Sequence, residues 1–138
     1  MGLPPEGAEV IQPTKRMSPH PPRILVVDDS AALRENLQEC LELEGYLVSV
    51  AEDGARALDV LAADPPPEIV LLDLVMPGID GRELVARIRA NPRLARVRII
   101  MSSGHTSSRM RQGIAIDAFL PKPFGVDELL SALRGVAA

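Results

Sequence analysis

From Arg23 onwards, short unbroken apolar runs alternate with segments in which apolar residues recur every three or four positions. The first pattern predicts strands buried on both faces, and the second predicts amphipathic helices. Ile24 to Val27 is an apolar strand running into Asp28-Asp29-Ser30, after which Leu33, Leu37 and Leu41 mark a helix that Gly45 stops. Leu47 to Val50 predicts a second, shorter strand. A helix from about Gly54 to Ala63 should bury Leu58, Leu61 and Ala62 before Pro65-Pro66-Pro67 breaks it. Ile69 to Leu72 is a third strand that ends at Asp73, and Pro77-Gly78 then forces a turn. Leu84, Val85 and Ile88 mark a third helix, ended by Asn91-Pro92, and Val97 to Met101 a fourth strand. The polar loop Ser102-Ser103-Gly104-His105-Thr106 leads into a weak pattern, where Met110 and Ile114 are the only spaced apolar pair, so the fourth helix should be short or irregular. Ala118 to Leu120 predicts a fifth strand, and Val126, Leu129, Leu130 and Leu133 one face of a last helix.

Strict alternation of strand and helix implies an α/β fold, a doubly wound five-stranded parallel sheet with helices on both faces and right-handed crossovers. The flavodoxin-like order 2-1-3-4-5 is favoured, with its crevice between the first and third strands. Residues 1–22 are rich in proline and lack apolar periodicity, which reads as a disordered tail or linker. Residues 23–138 suit one domain with a single core.

Composition narrows the function. A net charge of -4 and three aromatics, Tyr46, Phe119 and Phe124, provide neither a basic footprint nor stacking platforms, so no direct binding of nucleic acid is expected. No stretch reaches membrane-spanning length and no signal-type apolar region follows the N-terminus; the expectation is a soluble, cytoplasmic protein. Cys40 is the only cysteine, which excludes an intrachain disulfide or a cysteine-based zinc site and suits a reducing compartment. Among fifteen basic residues only Lys15 and Lys122 are lysines. A compact ammonium at Lys122, in a chain that otherwise uses the guanidinium, points to a particular task.

The predicted order brings Asp28-Asp29 opposite Asp73 at the carboxyl edge of the sheet. A strand-ending Asp ordinarily caps a loop or a helix, and one of the pair can do so. Three converging carboxylates are costly unless a cation shares the site, and an all-oxygen donor set suits Mg²⁺. The fourth strand delivers the Ser103 hydroxyl and Gly104, whose missing side chain leaves room for a bulky anion; the fifth delivers Lys122. Metal, ammonium and hydroxyl together suit a phosphoryl group, with Asp73 as the carboxylate that attacks phosphorus to form an acyl phosphate.

Asp28-Asp29, Asp73-Leu-Val-Met-Pro-Gly, Ser103-Gly104 and Lys122-Pro123-Phe124, in that order at successive strand ends, resemble the CheY-like receiver domain of two-component response regulators. The resemblance covers Arg23 to about Val136. It implies that Asp73 takes a phosphoryl group from the phosphohistidine of a histidine kinase or phosphotransfer protein. It also implies that Asp28, Asp29, Asp73 and the backbone carbonyl of Val75 hold Mg²⁺. Ser103 matches the switch hydroxyl, Phe119 the switch aromatic and Lys122 the phosphate-binding lysine, whose bond to Pro123 is often cis in the family. Val75 and His105 match positions that tune phosphoryl lifetime. Ser30, Ala31, Arg34, Pro123 and Phe124 match the face that docks the phosphate donor.

The segment from Ser103 to Phe119 is about three residues shorter than usual in the family, nearly one helical turn. Family-type dimerisation through this surface is thereby put in doubt, and a monomer or an atypical dimer is expected. The chain ends directly after the last helix, which suggests a free-standing receiver acting on an unknown downstream protein, or a receiver from a hybrid histidine kinase. An aspartyl phosphatase would carry a second Asp where Val75 stands, so the chain is not expected to be an enzyme. The remaining rival is a phosphate-independent receiver that only binds proteins.

Overall fold

The computed structural model describes residues 21–104 and 112–137. The apolar runs form β1 (Arg23–Val27), β2 (Leu47–Ala51), β3 (Ile69–Asp73), β4 (Arg98–Ser103) and β5 (Ala118–Pro121). All neighbours pair in parallel, in the order β2-β1-β3-β4-β5. The helices are α1 (Ala31–Leu43), α2 (Gly54–Leu61), α3 (Gly81–Ala90) and α4 (Val126–Ala137), with a 3₁₀ turn at Pro92–Leu94. The flavodoxin-like, doubly wound order expected from the alternation is the one observed.

Strand alternation divides the core in two. Ile24, Val26, Ile69, Leu71 and Ile100 face α1 and α4, where Leu37, Leu41, Leu129 and Leu133 cover them. Leu25, Val27, Val70, Leu72, Ile99 and Met101 face α2 and α3, where Ala57, Leu61, Leu84, Val85 and Ile88 pack. The central strands are apolar at nearly every position because both faces are covered. On the edge strand β2, Leu47 and Val50 are exposed.

Several expectations change in detail. The buried stripe of α2 is Ala57 and Leu61, with Leu58 half-buried and Ala62 exposed beyond the end of the helix. In α4, Val136 takes the place expected of Val126, which is exposed. Strand β4 runs on through Ser102 and Ser103, because they pair with Asp73 and Pro121. The cap of α1 is Ser30, whose Oγ accepts the N–H of Leu33, and not an Asp of the preceding pair.

The N-terminal tail up to His20, and residues 105–111 with His105 and Met110, lie outside the described residues. From Gln112 to Asp117 the chain is not helical, as its weak periodicity implies. Ile114 and Ile116 pack on the α2/α3 side of the core, and α3 holds the segment with two arginines. Arg82 donates to the carbonyl of Gln112 at 3.2 Å. Arg89 donates to the carbonyls of Ala115 at 3.0 Å and Val97 at 2.8 Å, and to Oδ2 of Asp117 at 2.9 Å. No helix among the described residues is long and apolar enough to cross a membrane.

Candidate functional site at the carboxyl edge of the sheet

Asp28 follows β1 directly and Asp73 is the last residue of β3, so the β1–β3 pairing sets the two carboxylates side by side. Both are buried, at 4% and 8% exposure. Asp29 is exposed, yet one oxygen from each of Asp28, Asp29 and Asp73 lies within 4.8 Å of the others. Lys122 reaches in from beyond β5. Its Nζ donates to Oδ2 of Asp28 at 2.7 Å and stands 3.5 Å from Oδ2 of Asp73. The second oxygen of each carboxylate is held by backbone: Oδ1 of Asp28 accepts the N–H of Ser30 at 2.9 Å, and Oδ1 of Asp73 accepts that of Val75 at 3.3 Å.

The third helix is brought unusually close beneath this edge. A Cβ on Gly81 would stand 2.6 Å from the carbonyl oxygen of Asp73 and 2.7 Å from Cα of Leu74, both backbone atoms. Only glycine fits there. The N–H of Gly81 donates to the carbonyl of Leu74 at 2.9 Å, which fastens the start of α3 to the end of β3.

Burial, the largest influence, pushes the Asp73 carboxyl above its ordinary range, the nearby Lys122 ammonium offsets this in part, and the charge of Asp28 adds to the rise. Burial alone would depress the Lys122 ammonium, but its hydrogen bond to Asp28 and the charges of Asp28 and Asp73 outweigh it and raise its pKa. One ammonium among three carboxylates leaves the pocket short of positive charge. Hard oxygen donors with a charge deficit fit a divalent ion such as Mg²⁺.

The remaining predicted residues fall into distinct places. Ser103 is buried at the same edge, and its carbonyl accepts the N–H of Lys122 at 3.1 Å. Strand alternation turns its side chain to the α2/α3 side, the side on which Phe119 packs half-buried. Gly104 is exposed, and an added Cβ would meet only Cβ of Lys122 at 3.8 Å, so space there does not require glycine. Val75 is exposed, and the Lys122-Pro123 peptide is cis.

Of the residues expected on a docking face, Ala31 and Pro123 are exposed. Phe124 lines a groove of about 780 Å³ between α1 and the loop before α4, together with Leu33, Leu37, Cys40 and Lys122. Arg34 is half-buried, and its guanidinium donates to the carbonyl of Asp28 at 2.7 Å, which supports the acidic turn. Sequence reasoning also passed over Ser102, which lies beside Asp73 in the sheet register and is 3% exposed. The signal was present: two consecutive serines ending an apolar strand place one hydroxyl on each face.

A doubly wound parallel sheet with paired acids after β1, an acid ending β3 and a lysine after β5 defines a receiver-type fold. The profile of the response regulator receiver domain matches residues 24–134, and the chain belongs to that family. Response regulator MprA of Mycolicibacterium vanbaalenii is 39% identical over 117 residues, which cover 84% of this chain and 50% of that protein. MprA of Mycobacterium avium is 39% identical over 115 residues, 83% of this chain and 50% of its own. The chain thus spans about half the length of the curated relatives it matches. Among solved structures, chemotaxis protein CheY4 of Vibrio cholerae superposes with a TM-score of 0.78 at 28% identity, covering 84% of this chain and 98% of that one. Response regulator protein TrrA of Thermotoga maritima, in complex with Mg²⁺ and BeF, gives 0.73 at 36% identity, covering 83% and 98%.

Proposed function

We propose that this receiver is a phosphorylation-controlled signalling module in which Asp73 is the phosphoacceptor and a histidine kinase or phosphotransfer protein is the donor. The observation that carries this reading is the Lys122 ammonium set between the buried Asp28 and Asp73 carboxylates, with an Asp29 oxygen within 4.8 Å of theirs. A carboxylate oxygen of Asp73 forms the new O–P bond while the P–N bond to the donor imidazole breaks. The electron pair leaves on the imidazole nitrogen, which takes up a proton. Asp28, Asp29, Asp73 and the carbonyl of Val75 are the residues that would hold Mg²⁺, which supplies neutralisation of the phosphoryl oxygens. Lys122, already drawn toward the acceptor, pairs with a phosphoryl oxygen once Asp73 is phosphorylated. Val75 carries no group that could orient a hydrolytic water, so the acyl phosphate should be long-lived, with His105 as a second position bearing on its lifetime.

Phosphorylation adds up to about two negative charges, enough to bias a bistable loop by a few kcal/mol. Ser103 and Phe119 are the residues that would report it, since both approach the edge on the α2/α3 side of the sheet. The groove lined by Leu33, Leu37, Cys40, Pro123 and Phe124 opens beside Lys122 and suits the apolar face of a donor helix, with the exposed Ser30 and Ala31 as further docking residues. The domain is read as a phosphoacceptor in the cytoplasm rather than as an enzyme.

Intact mass after incubation with Mg²⁺ and acetyl phosphate tests this reading. The expected result is a hydroxylamine-labile phosphoryl increment in the wild type that is absent from Asp73→Asn. An unmodified wild type that also binds no Mg²⁺ would instead make it a phosphate-independent binding module.

A further inference from the structure

Among the described residues, the face of the sheet that carries Asp28 and Asp73 holds one more buried polar side chain. Ser102 pairs with Asp73 across β3 and β4 and lies on the α1/α4 side, in alternation with Met101. Among the described residues its Oγ is the one buried side-chain nitrogen or oxygen without a hydrogen-bond partner. It opens onto a small cavity of about 10 Å³. The polar lining of that cavity is Ser102, Asp28, Asp73 and Lys122, and its walls include Leu37, Leu71 and Phe124.

An orphaned hydroxyl in such surroundings is costly, and buried polar groups are paired almost without exception. A cavity of this size accommodates about one water, and two to four polar groups are what a buried water needs. The donor count leaves room for it. Of the three N–H groups of Lys122, one is used at 2.7 Å by Asp28, and the nearest Asp73 oxygen is 3.5 Å away, too far for a good bond. A spare donor, an under-used carboxylate oxygen and an orphaned hydroxyl therefore face one water-sized space.

We propose that this cavity binds one water molecule, held by Ser102 Oγ, the Lys122 ammonium and the Asp73 carboxylate, and that Ser102 is thereby a positioning residue for Lys122. The water accepts from Lys122, donates to Asp73 and shares a hydrogen bond with the serine hydroxyl. It completes the coordination of an ammonium that direct contacts leave incomplete, and it fixes the side from which Lys122 addresses Asp73. The inference stands apart from the phosphoacceptor reading, because it needs only the hydrogen-bonding capacity of these groups.

The test uses the full chain, free of metal and phosphate. In a high-resolution crystal structure, a water peak within hydrogen-bonding distance of both Ser102 Oγ and Lys122 Nζ is expected. A dry cavity, or a Ser102 hydroxyl bonded to a backbone carbonyl, would overturn the proposal. In solution, ¹⁵N labelling of lysine gives only two ammonium signals, from Lys15 and Lys122, and Lys15→Arg identifies the second. Ser102→Val is expected to remove the water contact of the Lys122 signal and speed its hydrogen exchange several-fold, while Ser102→Thr restores both. An unchanged Lys122 signal in folded Ser102→Val would refute the positioning role. Should Ser102→Val not fold, the crystal structure of the unaltered chain decides alone.

Discussion

Two charged clusters hold opposite ends of the same sheet, and they differ in how fully they are satisfied. At the amino end, the two Asp117 oxygens face Arg89, the N–H of Ile99 and Arg98, while Arg89 also spans the carbonyls of Val97 and Ala115. The Arg89 and Asp117 side chains are each about a quarter exposed, and both find several partners of opposite polarity. At the carboxyl edge, Asp28 and Asp73 are almost fully buried, share one ammonium with each other, and keep Asp29 close by. The first cluster is a fastening that asks for nothing more. The second is left short of positive charge, which is the condition for taking up a cation from outside.

The comparison is broken most severely at Lys122. Lys122→Met should destabilise the metal-free protein by about 3 kcal/mol, since it strands two buried carboxylates, and Mg²⁺ should restore part of the loss; denaturant titration with and without the ion measures both. Gly81→Ala comes next, at about 2 kcal/mol, because its Cβ collides with the carbonyl of Asp73 and the Cα of Leu74. It should lower acetyl phosphate labelling as well as stability, as the end of β3 is pushed out of place. Arg89→Ala should cost about 1 kcal/mol yet leave Mg²⁺ affinity unchanged, which isothermal titration would show. Arg87→Ala, which removes an exposed pair with Glu83 one turn away on α3, should cost less than about 0.5 kcal/mol.

The two ends should also part in their response to pH. The folded state raises the Asp73 pKa, so it binds that proton more tightly than the unfolded chain does. The contribution of this group to metal-free stability therefore falls as pH rises from the ordinary carboxylate value through the raised one. Asp73→Asn should remove that dependence and melt higher than the wild type at neutral pH, by a few degrees, in chelator. Lys122 works in the other sense: its raised pKa contributes stability that is fully present below the ordinary lysine value and is lost as alkaline pH passes the raised one. A series of melting temperatures across pH, wild type against Asp73→Asn, checks the first trend. A flat difference would count against it.

The periodicity of the chain carried most of the architecture. Continuous apolar runs such as Ile24 to Val27 and Ile69 to Leu72 can only be satisfied by burial on both faces, and that requirement implies a doubly wound parallel sheet. Asp28, Asp73 and Lys122 could be placed at one edge because parallel strands end together. Errors appeared where neighbours rather than rhythm set the outcome. Ala62 lies on the apolar side of the α2 pattern but falls past the last helical turn, and Val126 begins α4 with about half its surface exposed. The serines read as a loop continue β4, because Asp73 and Pro121 offer them backbone partners.

By itself, then, the sequence determined the strand order, the two-sided core and the residue types that meet at the carboxyl edge, since these follow from local pattern and from the chirality of crossovers. The tertiary structure alone decided what each polar group does there. Arg34 donates to the carbonyl of Asp28, Gly81 admits α3 to the end of β3, and Ser102 opens onto the face shared with Asp73. Such hydrogen bonds and close contacts between different elements depend on distances of a few tenths of an ångström, and no periodicity along the chain encodes them.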